Sequence, residues 1–266
     1  MTKTVAIWWV GLALAGGIGA CADDNEELTP ESERVSLGLE QADSVSVELL
    51  ADGPLHVGLN KVYYRVKRVA DGAVVESATI DQTPMMTMMS MDMEHSSPHE
   101  QPPGVAVDGL FPAFVVFQMP SGDMGHWRVE AVVDAGSGDE AVTFVVTVAD
   151  SGSRKDLAMG EMGTAIVTLD FHGALKVGQN PFTVTVNKKA DMHGMMWEPL
   201  SDLTVTAAPD MPSMGHGSPG NIDPVHVQAG RYDGSVNLTM PGQWRIVLGF
   251  ARGGAEIGTV EYSISL

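Results

Sequence analysis

The chain has 266 residues, of which 34 are acidic and 15 are lysine or arginine, so its formal net charge is -19, and it contains one cysteine. Such an acidic surface disfavours nucleic acid and anionic lipid headgroups as partners. A lone cysteine forms no disulfide within the chain and supplies at most one thiolate, so a soft-metal site would have to rely on methionine and histidine.

The first segment has the features of an export signal. Residues 1–20 carry Lys3, an apolar run and then small residues that lead to Cys21. The run is too short for a membrane span, so the pattern predicts a signal peptide that is removed. The segment Ile18-Gly19-Ala20-Cys21 resembles the bacterial lipobox, whose cysteine is lipidated and begins the mature chain. We therefore expect a lipid anchor in a membrane of the cell envelope, on the extracytoplasmic side (periplasm or outer surface); the alternative is an ordinary signal peptide with a chance cysteine.

The rest of the chain contains an internal repeat. Residues 43–150 and 155–266 are the two predicted copies, and residues 21–42, which are acidic and weakly patterned, are predicted to be a tether. The matching segments are GLNKVYYRV and GQNPFTVTV (58–66 and 178–186), MEHSSP and MGHGSP (93–98 and 214–219), and GLFPAFVVFQMP and GRYDGSVNLTMP (109–120 and 230–241). This self-similarity predicts two homologous domains.

The periodicity of both copies is that of strands. Apolar residues recur at every second position, as in Val142, Phe144 and Val146, and Gly, Pro, Asn and Asp stand at the breaks. Each copy closes with a strand that begins at Trp127 or Trp244. We expect an all-β protein made of two tandem immunoglobulin-like antiparallel β-sandwich domains, joined near residues 150–154.

Methionine is concentrated in the predicted loops of both copies. Residues 84–99, PMMTMMSMDMEHSSPH, combine six methionines with two histidines, although methionine is normally an interior gap-filler. The candidate metal ligands of the first copy are Met85, Met86, Met88, Met89, Met91, Met93, His95, His99, Met124 and His126. Those of the second copy are Met192, His193, Met195, Met196, Met211, Met214 and His216.

The donor chemistry favours one class of metal. Thioethers are soft and carry no competing proton, so clustered methionine with histidine suits Cu(I), or Ag(I) as its analogue, better than Zn(II), Mg(II) or Ca(II). Two alternatives stay open: the loop at 211–216 is a packing device, and the loop at 84–99 is disordered or a sacrificial target of oxidation. We expect the side chains of Met119, Met240, Trp127 and Trp244 to lie in the core, and those of His56, His172 and His226 to be structural or solvent-facing.

The second copy also resembles a known family. MPSMGHGSPG followed by VQAGRYDGSVNLTMPGQWRIVLGF is similar to the YtkA-like and FixH-like extracytoplasmic domains, whose pattern is Met-Pro-x-Met-x-His, Gly-x-Tyr and Met-Pro-Gly-x-Trp. The match covers about residues 165–266, whereas the first copy has Phe111 for the tyrosine and Ser121 for the glycine. The resemblance implies a small β-sandwich associated with copper handling. It also implies candidate ligands, namely Met211, Met214 and His216, with Met93 and His95 as the first-copy equivalents.

No motif indicates catalysis. Residues 215–220 formally match Gly-x-Gly-x-x-Gly but lie between predicted strands and open no helix, and the acidic turn at 134–140 lacks EF-hand spacing. We expect a lipid-anchored Cu(I) chaperone or buffer and not an enzyme, with an ordered site at 211–216, a flexible capture arm at 85–99 and a copper-accepting envelope protein as partner. The alternative is a structural or protein-interaction lipoprotein that binds no metal.

Overall fold

The computed structural model describes residues 34–89 and 93–266. The predicted signal peptide, Cys21, Met91 and most of the predicted tether lie outside the described residues. Within the described part, the regular structure is almost entirely β-strand, and the one helical segment is a short 3-10 helix at Gly160–Met162. No helix of this part is long and apolar enough to cross a membrane.

The first half of the described chain contains two antiparallel sheets. Its strands are β1 (Val35–Gln41), β2 (Val45–Ala51), β3 (Gly58–Arg68), β4 (Thr79–Met88), β5 (Met93–Ser96), β6 (His99–Glu100), β7 (Phe111–Phe117), β8 (Gly125–Asp134) and β9 (Glu140–Val146). One sheet has the order β1-β2-β3-β7-β6, and the other has the order β5-β4-β8-β9.

The second half has the same plan. Its strands are β10 (Arg154–Ala158), β11 (Thr164–Phe171), β12 (Gly178–Lys189), β13 (Trp197–Pro199), β14 (Leu203–Met211), β15 (His216–Gly217), β16 (Ile222–Gln228), β17 (Arg231–Leu238), β18 (Gln243–Arg252) and β19 (Ala255–Ser265). One sheet has the order β10-β11-β12-β17-β16, with β13 also paired to β12, and the other has the order β15-β14-β18-β19.

Alternating burial packs the two sheets of each half face to face. Along β8, Trp127, Val129, Ala131 and Val133 are buried while the residues between them are half-buried or exposed, because successive side chains of a strand point to opposite faces. Each half has its own apolar core, drawn from both of its sheets. This arrangement confirms the expected all-β, antiparallel sandwich architecture.

Two segments differ from the sequence-based expectation. Val35–Gln41 lies in the predicted tether but forms β1, which pairs with β2, so the first sheet begins earlier than expected. The predicted flexible arm is largely a hairpin of β4 and β5, in which Met85, Met86 and Met88 are buried. The flexible-arm prediction is wrong for these strands, because β4 pairs with β8 along its whole length and its methionines fill the interior.

The two halves contact each other through polar and aromatic groups. The backbone N–H of Leu59 donates to Asp170 Oδ2 (3.1 Å), and His56 Nε2 lies 3.5 Å from Asp170 Oδ1. Arg231 Nε lies 2.9 Å from Glu100 Oε1, and the Arg231 guanidinium stacks 4.0 Å from the centre of the Phe114 ring. These contacts hold the start of β3 and the β6–β7 edge of the first half against the second half.

The junction between the halves is bound to the first half. Ser153 is buried, and its hydroxyl donates to the carbonyl oxygen of Val57 (2.7 Å). Gly58, which follows Val57, has φ +118°, and a Cβ there would collide with Asp170 Oδ1 and Ser153 Oγ. Glycine at this position therefore permits the close approach of the two halves.

Candidate functional site

A methionine, a histidine and a tryptophan meet at one end of the first sandwich. The strand register pairs Met86 of β4 with His95 of β5 on one side and with Trp127 of β8 on the other. Met86 and Trp127 are fully buried, and the His95 ring meets the Trp127 ring edge-on at 5.5 Å. A Cβ at Gly125 would collide with the carbonyl oxygen of Thr87 and lie 2.9 Å from the Met86 methyl carbon, so glycine is needed beside the methionine. We call Met86, His95 and Trp127 the first corner.

The second sandwich repeats this arrangement. Met211 of β14 pairs with His216 of β15, and the register that joins β14 to β18 places Met211 next to Trp244. Met211 and Trp244 are buried, and the His216 ring meets the Trp244 ring edge-on at 6.3 Å. A Cβ at Gly242 would lie 2.8 Å from the Met211 methyl carbon. We call Met211, His216 and Trp244 the second corner.

Both histidines present the same ring nitrogen for binding. His95 Nδ1 lies 3.0 Å from the carbonyl oxygen of Ser96, and His216 Nδ1 lies 3.0 Å from the carbonyl oxygen of Gly217. A carbonyl only accepts, so Nδ1 carries the proton and the neutral ring keeps a lone pair on Nε2. Fixing the tautomer through Nδ1–H is the usual way in which proteins prepare a histidine as an Nε2 metal ligand.

Both tryptophans are held by a hydrogen bond from the indole nitrogen. Trp127 Nε1 donates to the carbonyl oxygen of Met119 (2.8 Å), and Trp244 Nε1 donates to that of Met240 (3.0 Å). Both rings are buried, which confirms the expectation that they belong to the core. Met119 packs against the first core, whereas the side chain of Met240 is 36% exposed, so the core prediction for Met240 is wrong. Its backbone, not its side chain, supports the tryptophan.

The sequence of the second corner has a family counterpart. Residues 164–249 match the YtkA-like family model. This YtkA-like segment extends from β11 to β18 and therefore contains the whole second corner. The match agrees with the resemblance in the second copy and does not extend to the first corner.

Comparison with known proteins adds resemblances at low similarity. No curated protein matches the chain. Among solved structures, the Yersinia pseudotuberculosis adhesin InvE shares 9% identity at a TM-score of 0.25, with 80% of this chain and 56% of that chain covered. Domains 5–6 of the S-layer protein SbsC share 11% identity at a TM-score of 0.28, with 86% of this chain and 98% of that chain covered. The D00-D0 domain of intimin shares 10% identity at a TM-score of 0.25, covering 83% and 98% of the two chains.

A cleft of about 690 Å³ lies between the two halves and brings several predicted ligands together. His95 and Met93 line it from the first half, and Met192 and His193 line it from the second. The backbone N–H of Ser96 donates to the carbonyl oxygen of Gly194 (2.9 Å), which fixes the loop at 190–196 beside β5. The first corner therefore borders the cleft through His95, and the loop at 190–196 of the second half lies beside it.

The second corner lies at the other end of its sandwich. Leu203, at the start of β14, pairs with Arg252, whose guanidinium lies 3.4 Å from the sulfur of Met162 on the cleft wall. Met211 ends β14, and the nine residues of this strand span about 27 Å. The loop with Met192 and the second corner are thus separated by the length of the sandwich, and the structure does not combine them in one site.

Apart from Met214, which lies on the turn of the second corner, the remaining predicted ligands are scattered. Met214 is 61% exposed on the turn that follows Met211, and Met195, Met196, Met89 and Met124 are also exposed. His126 is exposed on β8, and His99 Nδ1 lies 2.7 Å from the carbonyl oxygen of Ser97, away from the methionine cleft. Within residues 34–89 and 93–266, no group of three or more His, Cys, Asp or Glu residues is placed to hold a metal ion. Thioethers would therefore have to complete any metal site in this part of the chain.

The strand register also adds one correspondence between the copies. Sequence matching pairs Met93 with Met214, each two residues before its histidine, and the structure in addition places Met86 where the second half has Met211. In the sequence, Pro84 stands two residues before Met86 and Pro209 stands two residues before Met211, which indicates that the two methionines correspond. The correspondence is hard to see in the sequence because the chain between the methionine and the histidine is longer in the first half than in the second.

Proposed function

We propose that the protein binds Cu(I) outside the cytoplasm and acts as a copper chaperone or buffer. The observation that carries the proposal is the repeated corner, in which a methionine, a tautomer-fixed histidine and an edge-on tryptophan occur in each half. The YtkA-like match over residues 164–249 supports an extracytoplasmic, copper-related family for the second half.

The second corner supplies the donors for an exchangeable site. His216 is exposed with Nε2 available, Met214 is 61% exposed, and Met211 provides a thioether at the buried base of the turn. Neutral thioether and imidazole ligands match the softness and single charge of Cu(I). The indole of Trp244 adds an electron-rich surface that attracts a nearby cation and limits access of water.

Competing metals lack the ligands they prefer. Asp210, the carboxylate nearest to Met211 in sequence, forms two bonds of 2.9 Å with Arg245. That guanidinium lowers the pKa of Asp210, through hydrogen bonding first and through its charge, and keeps the carboxylate engaged. Zn(II), Mg(II) and Ca(II) favour oxygen or mixed nitrogen and sulfur donors, so the open thioethers favour Cu(I).

The N-terminal sequence supports a place for the protein at the cell envelope. Lipidation of Cys21 would anchor it to a membrane, and an open site of weakly holding thioethers would release copper to a stronger acceptor in the envelope. The protein would act by binding and transfer, and not as an enzyme.

The test is an anaerobic Cu(I) titration of residues 22–266 against a chromophoric chelator. Met214→Leu combined with His216→Gln should weaken Cu(I) binding at the second corner at least about tenfold, because two of the three donors are removed. Met196→Leu is the matched control, since Met196 is also 61% exposed but lies on the loop at 190–196.

The same samples distinguish the alternative. A ligand that binds only the folded state must raise the thermal midpoint, so Ag(I) or Cu(I) should stabilise the wild type and stabilise the double variant less. If the protein does not compete with the chelator for Cu(I), and neither metal shifts the thermal midpoint, the methionines serve packing. A structural or protein-interaction lipoprotein then becomes the better description.

A further inference from the structure

We propose that the cleft between the two halves binds a second Cu(I) ion with donors from both halves, and that the metal joins them. The choice of metal rests on the proposed Cu(I)-binding function, but the site is distinct from the second corner. Its donors would be Met93, His95 and Met119 from the first half and Met192 and His193 from the second, all of which line the cleft.

The polar groups of the cleft wall leave these soft donors as the available ligands. Arg154 forms a 2.6 Å ion pair with Asp156, and Lys188 lies 3.7 Å from Glu198. Glu94 is bound to Arg128 at 2.9 Å, and this hydrogen bond, with one from Thr87, lowers the pKa of the Glu94 carboxyl. With both carboxylates of the cleft wall, Asp156 and Glu94, paired with arginines, a hard cation lacks a free anionic ligand, whereas a soft cation finds neutral thioethers and imidazoles.

The donors differ in how firmly the protein holds them. His95 is fixed by its Nδ1 hydrogen bond and by the edge-on contact with Trp127, so its Nε2 is prepared for a ligand. Met192 is 94% exposed, and its three rotatable bonds let the thioether swing into the cleft. The cleft, at about 690 Å³, is much larger than a bare ion, so binding would draw the side chains of Met192 and His193 toward His95.

We call this ion, bound by donors of both halves, the bridge. If it forms, donors on either half contribute to the same bound ion. Met192→Leu with His193→Gln should remove one equivalent of tightly bound Cu(I), and Met93→Leu with His95→Gln should also remove one. The quadruple variant should again lose one equivalent and not two. Met195→Leu, on the same loop and 41% exposed but absent from the cleft wall, should bind like the wild type.

A second measurement reports the joining of the halves. The amide of Ser96, which donates to the Gly194 carbonyl across the cleft, should exchange its hydrogen at least about tenfold more slowly when Ag(I) is bound, and this change should disappear in the Met192→Leu/His193→Gln variant.

The outcomes separate this site from the proposed function. A quadruple variant that loses two equivalents, or double variants that lose none, would overturn the bridge. If the cleft variants lose none while Met214→Leu/His216→Gln loses one equivalent, the Cu(I) function stands without a cleft site. If the wild type binds no Cu(I), both proposals fall.

Discussion

Asn60 and Asn180 show how single side chains shape both halves at equivalent turns. Asn180 Oδ1 accepts from the backbone N–H of Lys176 (2.8 Å), and its Nδ2 donates to the carbonyl oxygens of Lys176 (2.7 Å) and Gly178 (2.8 Å). Asn60 makes the same three bonds with His56 and Gly58. Both amides are buried, so the repeated Gly-x-Asn motif is a turn lock at the start of β3 and β12.

Replacing Asn180 should lower the free energy of unfolding. Asn180→Ala leaves buried backbone groups without partners, and we expect the free energy of unfolding to fall by about 1–3 kcal/mol in urea denaturation. Lys176→Ala is the control, because only the backbone of Lys176 takes part, and it should change this free energy by less than about 0.5 kcal/mol. Equal stabilities for the two variants would show that the Asn180 bonds are not needed.

At the scale of elements, one hydroxyl connects two sheets of the second half. Tyr232 on β17 donates its O–H to the carbonyl oxygen of Leu200 (2.7 Å) and accepts from the backbone N–H of Leu203 at the start of β14 (3.1 Å). Burial is the first cause of the raised pKa of Tyr232, so the phenol stays neutral and keeps its proton to donate. The first half has Phe111 at this position of the repeat and lacks this particular link.

Tyr232→Phe removes the link without changing the ring. We expect a loss of about 1–3 kcal/mol in the free energy of unfolding, since a buried carbonyl and a buried N–H lose their partner. Thr204→Ala, at a solvent-facing position of β14, should stay within about 0.5 kcal/mol of the wild type. A Tyr232→Phe protein as stable as the wild type would contradict the assignment.

At the scale of the whole molecule, a titratable contact joins the halves. The hydrogen bond to Asp170 is the first cause of the raised pKa of His56, and the charge of Asp170 adds to it, against the opposing effect of burial. A raised pKa in the folded protein means that the contact is fully stabilising below the ordinary histidine pKa of about 6.5 and is lost as pH rises through the folded pKa.

We therefore expect the wild type to lose stability relative to His56→Gln as the pH rises from about 6 to about 8. The comparison between the two proteins isolates His56 from the other histidines. Thermal midpoints measured across this range would check it, and a difference that is independent of pH would show that the contact does not depend on the charge of His56.

The limits of sequence-based prediction are physical and differ between residues. Alternation predicted that Trp127 and Trp244 open buried strands, because a period of two is a local property of the chain. The methionines of residues 84–88 break that alternation and so indicate a loop, although pairing with β8 makes this segment a strand. The contact between His95 and the loop at 190–196 depends on how the two halves pack, which no local pattern encodes. Consequently the sequence predicts most of the proposed donors, but neither Met119 nor the division of the donors into a cleft site and the second corner.

The tryptophans give each proposed site its own optical signal. Of the tryptophans in the described residues, Trp244 belongs to the second corner, Trp127 belongs to the first corner, and Trp197 lines the cleft. A soft metal bound beside an indole should alter its emission, so replacing Trp244 with phenylalanine would leave a spectrum that follows filling of the cleft alone. The order in which copper enters and leaves the two sites would then be readable by stopped-flow fluorescence, without any attached dye.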